Sequence, residues 1–195
     1  VQLPQWPSYA WTWMREEQRR ALDEPGTGMV VTIDLDYAND IHPPNKVDVG
    51  ERLARWPLAK VYSRKLPVSG PLFRGVELRA GTAVVSFLHA DGGLMAGELA
   101  GVMKLAKAKD GVLHAFELVG KDGAWHAAEA KIAGETVVVT SKQVPSPVAV
   151  RYACYAAAPA GRAGNLYNTE GLPASPFCSD WARMPYDPAR NPMGK

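Results

Sequence analysis

The sequence predicts an α/β portion followed by a β-rich, sandwich-like portion. Three observations lead there. A short β-branched apolar run at residues 29–34 lies between two stretches with helical periodicity. Around residues 66–71 the texture changes, and Gly and Pro begin to punctuate short alternating runs. The 195 residues are 47% apolar and 22% charged, an ordinary globular composition.

The elements follow in order. Val1-Gln2-Leu3-Pro4 reads like the end of a strand, which predicts that the chain is a fragment or processed part of a longer fold. Residues 11–22 form a helix, with Met14, Gln18, Ala21 and Leu22 on one face and charges on the other. Pro25-Gly26 stops it. Residues 29–34 are expected to be a strand buried on both faces, as in a parallel sheet. A polar loop runs from Asp36 to Pro44, and a second helix from Lys46 to Arg64. Its stripe is Val49, Leu53, Trp56 and Lys60/Val61, and Pro57 is expected to kink it.

Beyond residue 68, alternating runs at 72–78, 83–88, 113–119, 135–140 and 147–152 predict an antiparallel sandwich or barrel. Residues 96–110, rich in Lys and Ala, read as a solvated loop or short helix. Asp122-Gly123 is a hairpin signal. The predicted division is an α/β part over 1–67, a β-rich domain over 68–182 and an extended or disordered tail over 183–195. One strand and two helices cannot cover both faces of a sheet, so the first part calls for further elements.

Composition excludes several functions. The net charge is +2, with nine basic against nine acidic residues up to position 65 and thirteen against eleven after it. No basic face is implied, so nucleic acid is not expected as a partner. No uncharged apolar run approaches the roughly 18 residues of a membrane helix, so no membrane association is expected. Two cysteines, Cys154 and Cys178, are too few for a disulfide scaffold, although they could form one bond.

Chemistry concentrates in residues 34–43, Asp-Leu-Asp-Tyr-Ala-Asn-Asp-Ile-His-Pro, which follow the expected buried strand. In open α/β sheets, sites form at the carboxyl ends of strands. His42, with Asp40 two positions and Asp36 six positions before it, has the makings of a general base and its orienting carboxylate. Imidazole suits that role because it takes and returns a proton near neutral pH. The competing reading of His42 is a surface or capping residue. Asp48, in the first turn of the second helix, suits the helix dipole. One His among scattered Asp residues is not a metal-ligand set, so no metal is expected.

Other candidates read as structural. His89 sits at a strand end and reads as a turn residue, while His114 and His126 fall within alternating β segments. Ser8 lies in a Pro-flanked loop, not in a strand-to-helix elbow, and is not read as a nucleophile. Neither cysteine has a His nearby in sequence, so a thiol nucleophile is not expected. Trp6, Tyr9, Trp11, Trp13 and Trp125 admit sugar stacking or core packing, and the position of Trp11 and Trp13 at a helix start favours packing.

Several segments together carry a family resemblance: residues 1–4, 14–22 and 27–34, Asn39-Asp40-Ile41-His42-Pro43, Asn45-Lys46, 50–54, Ser69-Gly70-Pro71, 165–168 and 171–177. Taken in this order, the chain resembles the later half of the sialate O-acetylesterase-like SGNH hydrolases, from residue 1 to about 180. The resemblance implies a flavodoxin-like α/β hydrolase domain with β-rich material attached. It implies hydrolysis of O-acetyl esters on sugars, without metal or other cofactor. His42 matches the His of the family's Ile-His-Pro motif and is therefore the expected catalytic base. The family's nucleophilic Ser and its oxyanion-hole Gly and Asn belong to motifs that these residues do not contain. The expected partners are therefore an O-acetylated sugar and an N-terminal portion of the same hydrolase.

The general SGNH pattern has Asp three residues before His. That position is Asn39 here, so Asp40 is the expected orienting residue, with Asp36 or a backbone carbonyl as alternatives. Arg15, Glu16 and Gln18 match a family pattern and read as structural. Export to the periplasm or cell exterior, or a lysosomal location, follows from the resemblance alone. The competing class is a non-catalytic carbohydrate-binding or interaction module using the β-rich part. A self-sufficient hydrolase with Ser8 and His42 is the third reading.

Overall fold

The computed structural model describes residues 1–6, 9–35, 41–154 and 164–185. It is mostly β-sheet, with two α-helices near the start. The expected tail beyond residue 185 lies outside the described residues.

Helix α1 spans Tyr9–Arg20 and tightens into a 3-10 turn over Ala21–Asp23. Gly26 has φ +76°, the left-handed conformation that a stop after Pro25 requires. The buried face differs from the apolar stripe expected at Met14, Gln18, Ala21 and Leu22: the buried residues are Thr12, Arg15 and Glu16. The cause is the neighbouring chain. Residues 1–4 lie extended beside the helix with backbone groups that need partners. Arg15 donates to the Pro4 carbonyl (2.9 Å), the Gln18 Oε1 accepts from the Leu3 amide (2.8 Å), and Gln2 donates to the Arg15 carbonyl (3.1 Å).

The run at residues 29–34 is buried, with Met29, Val30, Val31 and Ile33 each at most 4% exposed. No regular strand is assigned there. It is extended chain with one backbone bond to the first segment, because turns begin at residue 33. The Gln2 amide donates to the Val30 carbonyl (2.8 Å), and the Thr32 hydroxyl donates to the Gln2 carbonyl (2.6 Å). Going from the amide to the carbonyl of Gln2, the partner advances from residue 30 to residue 32. That is the sense of a parallel pair, with α1 as the connection between the two segments.

Helix α2 spans Lys46–Lys60. Asn45 caps it, accepting from the Asp48 amide (3.1 Å). It ends four residues before the expected Arg64. Pro57 supplies no amide, the amides of Val61 and Tyr62 both turn back to the Pro57 carbonyl, and Ser63 adopts φ +54°. The expected apolar stripe is again replaced by a polar one: Asp48 and Arg52 are buried, and Leu53 is 38% exposed.

Eleven strands follow among the described residues, in three antiparallel sheets. The first holds β1 (Leu72–Arg79), β2 (Thr82–Leu88), β7 (Glu129–Ala133) and β8 (Thr136–Thr140), in the order β1-β2-β8-β7. The second holds β5 (Phe116–Val119), β6 (Trp125–Ala127), β9 (Ala149–Tyr152) and β11 (Phe177–Cys178), in the order β11-β9-β5-β6. The third is β10-β3-β4, from β3 (Leu94–Leu99), β4 (Leu105–Lys107) and β10 (Leu166–Asn168).

Alternation works as expected in β2 and β8. Ala83, Val85 and Phe87 face inward, as do Val137 and Val139. They meet Phe116, Leu118, Val150 and Tyr152 of the second sheet in one core. Phe177 stacks on Phe73 with centroids 4.6 Å apart. Residues 96–110, expected as a loop or short helix, instead form the β3–β4 hairpin. Strand β4 has three residues, too few to show a period, and Lys104 and Lys109 lie just outside it.

The core does not stop at residue 68. Met29, Val31 and Ile33 belong to the same buried cluster as the sheet residues. The connector is locked down at Gly70, where a Cβ would lie 2.1 Å from the Pro173 carbonyl oxygen. No helix among the described residues is long and apolar enough to cross a membrane.

Candidate active site

The loop bearing His42 leaves the buried run at Asp34. The Asp34 carboxylate is 3% exposed and meets the Arg52 guanidinium of α2 in two bonds, 2.8 and 2.6 Å long. Arg52 also donates to the Val31 carbonyl (2.8 Å), and the Tyr167 hydroxyl of β10 donates to Asp34 Oδ2 (3.1 Å). Burial and the adjacent Asp34 charge push the Tyr167 phenol well above its ordinary range, so it stays a donor. Three separate elements thus fix one end of the loop.

The other end is fixed by α2. Pro43 is buried and Asn45 caps the helix. The Asp48 carboxylate accepts from the Asn45 side chain and from the Met103 amide (3.0 and 3.2 Å) in the β3–β4 turn. His42 stands between the two anchors with its side chain exposed. An exposed imidazole on a short loop tethered at both ends is placed to exchange a proton with a group brought to it. Asp40 and Asp36 lie outside the described residues, as does Ser8.

The other histidines are placed elsewhere. His89 directly follows β2 with φ +60°, and its carbonyl accepts from the buried Asn168 (3.3 Å). Burial lowers its pKa from the ordinary His value. His114 borders a cleft of about 590 Å³ with Glu117, Glu129 and Lys131, which His42 does not line. His126 Nε2 lies 3.6 Å from Asp122. Cys154 and Cys178 are free, buried thiols that donate to backbone carbonyls. Burial raises both, Cys178 up to about 11, which leaves little thiolate at neutral pH. Among the described residues, no group of three or more His, Cys, Asp or Glu could hold a metal ion.

The aromatic residues divide. Trp13 lies 5.0 Å from Trp181, Trp125 lies 4.4 Å from the buried Arg151 guanidinium, and the indole nitrogens of both donate to backbone carbonyls. These two pack, as expected. Trp6 and Trp11 form a separate half-buried pair with centroids 5.9 Å apart.

Sequence reasoning quoted Asp34 without giving it a role, and it missed Arg52 and Tyr167. The signal available was two opposite charges, Asp48 and Arg52, four residues apart on the helix that follows the His loop. In the structure that face is buried.

No family model matches the chain, and no curated protein matches it. Among solved structures, one neighbour superposes with a TM-score of 0.78 at 34% sequence identity, over 92% of this chain. That neighbour is a novel carbohydrate acetylesterase from Xanthomonas citri. The chain is similar to a carbohydrate acetylesterase. It spans 40% of that neighbour's length. The likeness in fold and sequence supports an esterase, a carbohydrate-related hydrolase, as the kind of protein to which this chain is related.

Proposed function

We propose that the chain is the later portion of a serine-dependent carbohydrate O-acetylesterase of SGNH type, with His42 as its general base. The observation that carries this reading is the 34% identity to a carbohydrate acetylesterase through 92% of the chain. The anchored His42 loop supports it. So does the parallel sense of residues 1–4 and 29–32, which fits two neighbouring strands of an α/β sheet that further elements complete.

In this reading the nucleophilic Ser and the oxyanion donors come from a preceding portion of the hydrolase. His42 takes the Ser proton as the hydroxyl oxygen attacks the acetyl carbonyl. The tetrahedral oxyanion forms against the donors of that portion. On collapse the ester C–O bond breaks, and the imidazolium returns the proton to the departing sugar oxygen. His42 then deprotonates water, which attacks the acetyl-enzyme and releases acetate and the free Ser. Asp40 is the proposed orienting residue, with Asp36 the alternative. The substrate is an O-acetylated sugar, with a sialate-type sugar as the family-level candidate, and the location is exported or lysosomal. Residues 1–67 contribute the hydrolase part, and 68–182 the β-rich part packed onto it.

Hydrolysis of 4-nitrophenyl acetate tests the reading, using the chain alone and mixed with the preceding portion, each with a His42→Ala control. Activity only in the mixture, abolished by His42→Ala, is the expected result. Activity of the chain alone that depends on His42 would place the nucleophile within these residues, with Ser8 the first to replace. Inactivity of a demonstrated complex would overturn the esterase and leave a carbohydrate-binding module.

A further inference from the structure

Helix α2 turns polar side chains inward because the chain beneath it presents backbone carbonyls. Arg52 donates to the carbonyl of Val31 (2.8 Å), the Trp56 indole nitrogen to that of Met29 (2.8 Å) and Arg55 to that of Pro67 (3.3 Å). Carbonyls that no strand pairs need such donors. The consequence appears on the opposite face. Val47, Ala54, Leu58 and Val61 recur at steps that keep to one side of a helix. All four are exposed, Val47 at 55% and Val61 at 71%. Tyr62, also exposed, follows directly. The charged side chains on this face, Lys46, Glu51 and Lys60, stand at its start or its borders.

The patch extends beyond the helix. The Asp48 carboxylate accepts from the Met103 amide, which brings the β3–β4 turn against the first turn of α2. Val102 and Met103 of that turn are both exposed. A contiguous apolar patch of this kind marks a surface that another body covers, and an apolar centre with charges at its rim is the anatomy of a protein interface.

Two observations say which body. The chain spans 40% of the carbohydrate acetylesterase to which it is similar, so on the esterase reading more than half of the hydrolase has still to be placed. The stripe also begins five residues after His42, on the helix whose start anchors the His42 loop. The portion that carries the nucleophile to His42 must come to rest beside that anchor. It cannot do so by pairing with the Met29 and Val31 carbonyls, because α2 already occupies both. We infer that the outer face of α2, with the Val102–Met103 turn at its head, is the docking surface for the preceding, nucleophile-bearing portion of the hydrolase, which covers the apolar stripe by side-chain packing. The inference rests on the esterase reading.

The test uses the full-length hydrolase under native conditions. Val47→Cys, Leu58→Cys and Val61→Cys are each reacted with a maleimide, beside Glu135→Cys in the exposed β7–β8 turn as control, the two native thiols being buried. Each of the three should react about tenfold or more slowly than the control. Reaction at the control's rate at two or more of them overturns the inference. In parallel, p-benzoylphenylalanine in place of Tyr62 is photoactivated. A cross-link to sequence preceding Val1 in the same chain is expected. A cross-link between two copies, one confined to residues 1–195, or none at all overturns the inference. Hydrolysis of 4-nitrophenyl acetate, with a His42→Ala control, separates this surface from the reading beneath it. Protection and the expected cross-link without His42-dependent hydrolysis would sink the esterase and keep the docking surface. His42-dependent hydrolysis with freely reactive cysteines would keep the esterase and sink the docking surface.

Discussion

Asp34 ties the start of the segment that leads to His42 to Arg52 of α2 and Tyr167 of β10. Asp34→Asn leaves the Arg52 guanidinium buried without its counter-charge, which should cost about 3–5 kcal/mol in denaturant unfolding. Ester hydrolysis should fall with it, since the His42 loop loses one anchor. His89 gives a pH signature. Burial disfavours its charged form, so its folded pKa lies below the ordinary 6.5. As pH falls below about 6.5 the unfolded chain takes up the proton first, and stability declines until the folded pKa is passed. His89→Asn, which tolerates the left-handed φ, should flatten that decline in Tm measured between pH 7 and 5. The place of His42 just after a buried apolar run needs only local sequence to be noticed. Its supports are not legible locally. Tyr167 is 133 residues from Asp34, and no spacing rule joins them.

At the scale of elements, long periodic runs were legible and short ones were not. Helix α1, β1, β2, β5, β8 and β9 all lie where apolar spacing put them. Strands β4 and β10 have three residues each, which is less than two periods of any pattern; β6, as short, was announced by the Asp122-Gly123 turn, which pairs Val119 with Trp125 as expected. Both helices misled in the same way. Charged residues at helical spacing read as a solvated face, whereas Arg15 and Arg52 turn inward to serve backbone carbonyls of adjacent extended chain. That need arises only once the chain has folded. Gly70 shows another long-range demand. Gly70→Ala drives a methyl into the backbone of residues 172–173 and should cost about 1–3 kcal/mol, read as a lowered Tm without loss of secondary structure.

For the molecule as a whole, the shared core makes a definite claim. Ile33 is fully buried in the cluster that also holds Val85, Leu118 and Val139. Ile33→Ala should therefore destabilise the sheets as well as the first segment, by about 2–5 kcal/mol. Calorimetry should show one transition moved down, not a first transition moved while a second stays fixed. Composition announced a packed globule but could not say that the core crosses the change in texture near residue 68.

The two sealed thiols have a use unconnected with catalysis. Cys154 and Cys178 sit beneath Trp13, Trp125 and Trp181, each hydrogen-bonded to backbone carbonyls and held protonated by burial. An aromatic disulfide reagent at neutral pH can reach them only when that lid of rings lifts. The rate of colour release is thus a built-in clock for breathing of the region where α1 meets β9 and β11, and it runs without any introduced label.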